Sequence, residues 1–95
     1  MAQIRRLVLD VLKPHQPDVI TYAQVLGDIQ GVEGTNLSVD EVDQETETVK
    51  ITLEGKDISF NDVKEMIQKL GGTVHSIDLV ATGQRLVEDV DTLMD

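Results

Sequence analysis

Ile4-Arg5-Arg6-Leu7-Val8-Leu9-Asp10-Val11-Leu12-Lys13-Pro14 is the longest run of strand-forming residues in this chain. In an extended backbone, successive side chains point to opposite faces. Leu7, Leu9 and Val11 therefore share one face, and Val8, Asp10 and Leu12 share the other. A strand that is apolar on both sides belongs in the middle of a sheet, with something packed on each face. Asp10 is the exception, a lone carboxylate among apolar neighbours.

The segments that follow supply the partners of this strand. Pro14 to Pro17 is a break, because each proline disfavours helix in the residue before it. A helix is expected to start there, with Pro17 at the first helical position and Asp18 in the first turn. Val19, Tyr22, Ala23, Leu26 and Ile29 recur at helical spacing, and Gly31 is the expected C-terminal cap. Residues 32–42 read as a second strand, with Leu37 and Val39 alternating with Asn36, Ser38 and Asp40. Asp43 to Glu47 is a polar turn, and Thr48 to Glu54 is a third strand, so the two strands form a hairpin. The second helix has a clear start: Ser59 as N-cap, Asp62 three residues on, and Ile58 and Val63 at the staple positions. Phe60, Val63, Ile67 and Leu70 make its buried stripe, and Gly71-Gly72 ends it. Thr73 to Ala81 is a fourth strand, with Ile77 and Leu79 inward and Ser76, Asp78 and Val80 on the other face.

Strand, helix, strand, strand, helix, strand is the ferredoxin-like order, an α+β sandwich. Its sheet order, 4-1-3-2 with both helices on one face, puts the first strand in the centre. Residues 1–82 form this domain, and 83–95 are a C-terminal extension. Leu86, Val87, Val90, Leu93 and Met94 make that tail too apolar to be a purely disordered end. It reads either as a fifth strand around Arg85 to Val90 or as a short helix that joins Leu86, Val90 and Leu93 on one face.

The first strand, together with Gly31-Val32-Glu33-Gly34 and His75-Ser76-Ile77-Asp78, is similar to a small archaeal ferredoxin-like family, domain of unknown function 211. The resemblance covers nearly the whole chain and is looser in the tail. It implies a cytoplasmic protein that assembles into homo-oligomeric rings and binds calcium or another divalent cation through carboxylates. It implies no assigned activity and no catalytic residue.

Composition excludes several function classes. Ninety-five residues make one domain with a modest core, a size at which oligomerisation is a common source of stability. There is no cysteine, which removes disulfides, thiolate metal sites and thiol nucleophiles. No stretch approaches the roughly 20 apolar residues needed to cross a bilayer. Asp10 and Lys13-Pro14 interrupt what would otherwise look like a signal sequence, so the cytoplasm is the expected compartment. Eighteen acidic residues against eight basic ones give a net charge of -10. That field repels a phosphate backbone, so nucleic acid is not expected as a partner; with no spanning stretch, neither is a membrane. The only aromatics, Tyr22 and Phe60, fall on helices rather than on the central strands where RNA-recognition domains stack bases. No cysteine pair for copper and no glycine-rich phosphate loop is present. Ser59 and Thr73 have no paired base.

Three groups of residues could carry chemistry. Asp10, Asp78 and Asp40 fall on the sheet face away from the helices, and Asp10 and Asp78 are expected to meet across adjacent strands. Two carboxylates that close either bind a cation or raise one another's pKa. His15 and His75 are expected near one end of the sheet, where two imidazoles could begin a zinc site that still lacks a third ligand. Asp43, Glu45, Glu47 and Glu54 faintly echo an EF-hand loop. Thr48 stands where that loop needs glycine, and the segment reads as hairpin, so the EF-hand is rejected. The apolar residues of the open face, Val8, Leu12, Val42 and Val80, suggest burial against another subunit or under the tail.

The leading expectation is a non-enzymatic module that assembles with copies of itself into a ring, with a divalent cation held by carboxylates. The alternative is a small-molecule sensor whose ligand lies between subunits near the Pro14 to Pro17 loop, beside His15 and His75. A metal-dependent enzyme is a weaker third reading, because its ligand set is thin.

Overall fold

The computed structural model describes residues 1–88. Its elements are β1 (Ile4–Pro14), α1 (Val19–Gly27), β2 (Val32–Val42), β3 (Thr46–Gly55), α2 (Phe60–Lys69) and β4 (Thr73–Thr82). The four strands form one antiparallel sheet in the order β2-β3-β1-β4. This is the ferredoxin-like arrangement, with β1 central as its composition requires.

Leu7, Leu9 and Val11 of β1 lie opposite Leu53, Ile51 and Val49 of β3, and all six are buried. Leu26 of α1 and Val63 and Ile67 of α2 close over them, so core and helices share one face. Each such side chain contributes about 1.5–3 kcal/mol when fully buried. The second apolar face of β1 carries no layer of its own within the described residues. Val8 is half-buried, and Leu12 is exposed.

The helix ends follow from local chemistry, with one shift from expectation. Asp18 is the N-cap of α1: its carboxylate accepts from the Thr21 amide at 2.9 Å, so Pro17 precedes the helix rather than opening it. The helix closes at Gly27, before Gly31. Gly31 instead makes the turn into β2 at a φ of +94°, pressed against the Asp57 carbonyl and Gly55. In α2, Ser59 caps the Asp62 amide at 3.2 Å. At its other end the Gly71 amide donates to the Gln68 carbonyl at 3.0 Å and the Gly72 amide to Ile67 at 2.9 Å. With Gly71 at a φ of +89°, this is a Schellman ending.

Beyond β4 the chain turns at Gly83, whose amide donates to the Gln3 carbonyl at 2.9 Å. Arg5 fixes this corner, since its guanidinium donates to the carbonyls of Gly55, Gly83 and Gln84 at 3.0, 3.2 and 2.9 Å. Residues 84–88 are neither helix nor strand. Val87 and Glu88 border a cleft with Arg6, Leu79 and Ala81. Val90, Leu93 and Met94, on which the strand and helix readings of the tail depend, lie outside the described residues.

Candidate functional site

The open sheet face is built from cross-strand rows. Ser38 of β2, Lys50 of β3, Asp10 of β1 and Ser76 of β4 form one row. Asp10 therefore has a lysine on one side and a serine on the other. The expected neighbour, Asp78, is not opposite it. The β4 strand also carries a pair of register shifts. Asp78 is the extra residue between Leu79, opposite Val8, and Ile77, opposite Leu9. His75 is the extra residue between Ser76 and Val74. Asp78 instead accepts from the Ser76 hydroxyl at 2.8 Å.

Asp40 is a third case. It falls between Val39, opposite Val49, and Glu41, opposite Thr48, so it too is an extra residue on an edge strand. Extra residues of this kind kink an edge and, when charged, discourage other chains from extending the ladder. Asp40, His75 and Asp78 thus share a structural role without sharing a place. Asp10 and Asp40 stand on strands separated by β3, roughly 10 Å apart at the usual strand spacing. Among the described residues no three His, Asp or Glu side chains come together to hold a metal ion. Asp10, Asp40 and Asp78 are not gathered into one such group.

The same shifts turn several apolar residues over. Leu79 moves to the open face beside Val8, while Val80 lies opposite Leu7 on the helix side. Val42 pairs with Glu47, itself opposite Lys13, and so also lies on the helix side rather than the open face. The helices cover part of each edge strand, Leu37 and Val32 on β2 and Val74 on β4, and leave other helix-side residues open. On β2, Val39 is 45% and Val42 63% exposed; on β4, Ile77 is 48% and Val80 50% exposed. Ile20, in the first turn of α1, is also exposed.

At the Pro14 end lies a cluster that the sequence hid. Lys13 is fully buried. Its ammonium donates to the Pro14 carbonyl at 2.7 Å and to Glu47 Oε1 at 3.1 Å, and it sits 5.0 Å from the centre of the Tyr22 ring. The Tyr22 hydroxyl donates to the Leu70 carbonyl at 2.8 Å, and burial raises its pKa. His15 Nδ1 is 2.9 Å from Glu47 Oε2, and His15 Nε2 is 2.9 Å from the Gln44 carbonyl. The hydrogen bond to Glu47, then the Gln44 carbonyl, raises the His15 pKa above its ordinary value. The bonds from His15 and Lys13 lower that of Glu47.

His15 therefore turns toward β3, while His75 lies on β4 at the other side of β1. Each ring nitrogen of His15 faces an acceptor of the same chain. The signal for Lys13 was its place in the alternation: it follows Leu7, Leu9 and Val11 on the core face.

A family model described as uncharacterized ArCR, domain of unknown function 211, matches residues 5–95. The chain belongs to this family. It is also 46% identical over 95 residues to a protein of the archaeon Methanocaldococcus jannaschii named uncharacterized protein MJ0319, covering all of this chain and 98% of that one. The domain of unknown function 211 family thus accounts for nearly the whole length, including the tail, and carries no assigned activity. Among the described residues no helix is long and apolar enough to cross a membrane.

Proposed function

We propose that this protein is a cytoplasmic, non-enzymatic module that associates with copies of itself, head to tail, into a ring. The observation that carries the reading is the pair of half-exposed apolar borders on opposite edge strands: Val39 and Val42 on β2, Ile77 and Val80 on β4. Two different patches on opposite sides of one chain favour a heterologous contact, and a heterologous contact that closes makes a ring. The charged extra residues Asp40 and Asp78 oppose extension of the backbone ladder, so the contact is one of side chains.

A divalent cation such as calcium has a place in this reading only at the seam. Asp40 and Asp78 lie on opposite edges and can meet only when β2 of one copy faces β4 of the next. The cation would neutralise carboxylates that otherwise repel one another.

Substitutions at the two borders test the arrangement. Val42→Asp should block one border and Ile77→Asp the other; both sites are exposed enough to leave the fold intact, which circular dichroism checks. Each variant alone should be monomeric by light scattering. Mixed in equal amounts, they should form a dimer through the one pair of intact borders. A patch that pairs with itself gives a different pattern, in which one substitution abolishes association, the other leaves it unchanged, and mixing rescues nothing.

A further inference from the structure

His15 lies in the loop between β1 and α1, with an acceptor against each ring nitrogen. Nδ1 faces Glu47 Oε2 and Nε2 faces the main-chain carbonyl of Gln44, each at 2.9 Å. A carbonyl oxygen accepts only, and so does an ionised carboxylate. A neutral imidazole has a single N–H and can satisfy one of the two; the imidazolium satisfies both. The other way to fill both bonds is a protonated Glu47 donating to a neutral ring. Glu47 is poorly suited to that, because its second oxygen already accepts from the buried Lys13 ammonium at 3.1 Å.

We propose that His15 is a structural imidazolium that latches the tip of the β2–β3 hairpin to the β1–α1 loop, and that its deprotonation releases the tip. The groups around it define the device. Glu47 faces it from β3, and Lys13 of β1 reaches the same carboxylate from the other side. The hairpin turn presents the Gln44 carbonyl and, more weakly, the Asp43 main chain. Asp18, the α1 N-cap, adds negative charge on the side of Lys13. His15 is 38% exposed at its side chain, so solvent protons reach it.

The raised pKa of His15 and the lowered pKa of Glu47 agree with this geometry. Neutral His15 keeps at most one of the two bonds, and the Nε2 bond to Gln44 is then the one lost, because the remaining N–H favours the charged carboxylate. Gln44 belongs to the turn closed by the Asp43 amide on the Thr46 carbonyl at 2.8 Å. Loosening of that turn is therefore the expected consequence. The latch lies within one chain and does not depend on assembly.

The test uses the full chain with His75→Gln, which leaves His15 as the single imidazole. Nitrogen-15 NMR of the ring across a pH series should show both nitrogens protonated at neutral pH and a midpoint above that of free histidine. The protection factor of the Asp43 amide should fall as pH passes that midpoint. Each unit by which the midpoint exceeds the ordinary value corresponds to about a tenfold bias toward the latched form. Adding Glu47→Gln should lower the midpoint and remove the pH-linked change in protection. A ring with one N–H at neutral pH overturns the proposal, as does protection that stays flat through the titration.

Discussion

Lys13 and Glu47 are joined across β1 and β3 by a 3.1 Å ion pair, and the lysine is wholly enclosed. A buried charge is retained only where its partners are complete. Here the carboxylate, the Pro14 carbonyl and the Tyr22 ring face complete the shell. Lys13→Met keeps the side-chain stem but removes the ammonium. It should lower the urea midpoint, because Glu47 and Pro14 each lose a donor, and Lys13→Ala should lower it further through lost packing. Urea unfolding with an unchanged slope checks both.

Tyr22 packs beneath that lysine and ties α1 to the end of α2 through the Leu70 carbonyl. Tyr22→Phe should cost about 1–2 kcal/mol, the price of a lost hydrogen bond with one partly buried acceptor left short. Equilibrium unfolding measures it directly.

Gly31 and Gly34 flank Val32 and Glu33 but should respond differently to alanine. Gly31 has a positive φ, and a Cβ there would collide with the Asp57 carbonyl. Gly31→Ala should cost at least about 1–3 kcal/mol from backbone strain alone. Gly34 has nothing within 4 Å of the same atom, and Gly34→Ala should stay within about 0.5 kcal/mol of the parent. Thermal or urea unfolding of the two variants side by side gives the contrast.

The His15–Glu47 pair sets a pH window for stability. Glu47 has a lowered folded pKa, so its contribution is present above the unfolded value and is lost as pH falls through the folded one. His15 has a raised folded pKa, so its contribution is complete below the unfolded value and is lost as pH rises through the folded one. Stability from this pair should therefore be greatest between the two. Glu47→Gln should flatten both flanks in urea titrations run across pH.

Arg5 should matter to the tail more than to the core. Its three carbonyl partners are at the end of β3 and the start of the extension. Arg5→Ala should raise amide hydrogen exchange around Gly83 and Gln84 while leaving Leu9 and Ile51 protected.

The central strand was legible because alternation in Leu7 to Val11 is a direct consequence of strand geometry. The caps of α2 were legible because Ser59 and Gly71-Gly72 have few other uses at those offsets. Register on the edge strands was not. An extra residue at Asp40, His75 or Asp78 leaves no mark in hydrophobic alternation until the neighbouring strand fixes the pairing, and each one inverts every side chain beyond it. That is why Leu79 was expected inward. Lys13 was missed because lysine is rarely buried, although its place on the core face of β1 was already visible.

Native mass spectrometry of the purified chain, before and after chelation, distinguishes a closed assembly from a lone subunit. A single closed oligomer, losing the mass of a divalent cation or falling apart when the chelator is added, is the predicted result. A monomer under both conditions, at concentrations where exposed Val42 and Ile77 would be expected to meet, would contradict the head-to-tail assembly and the seam cation together.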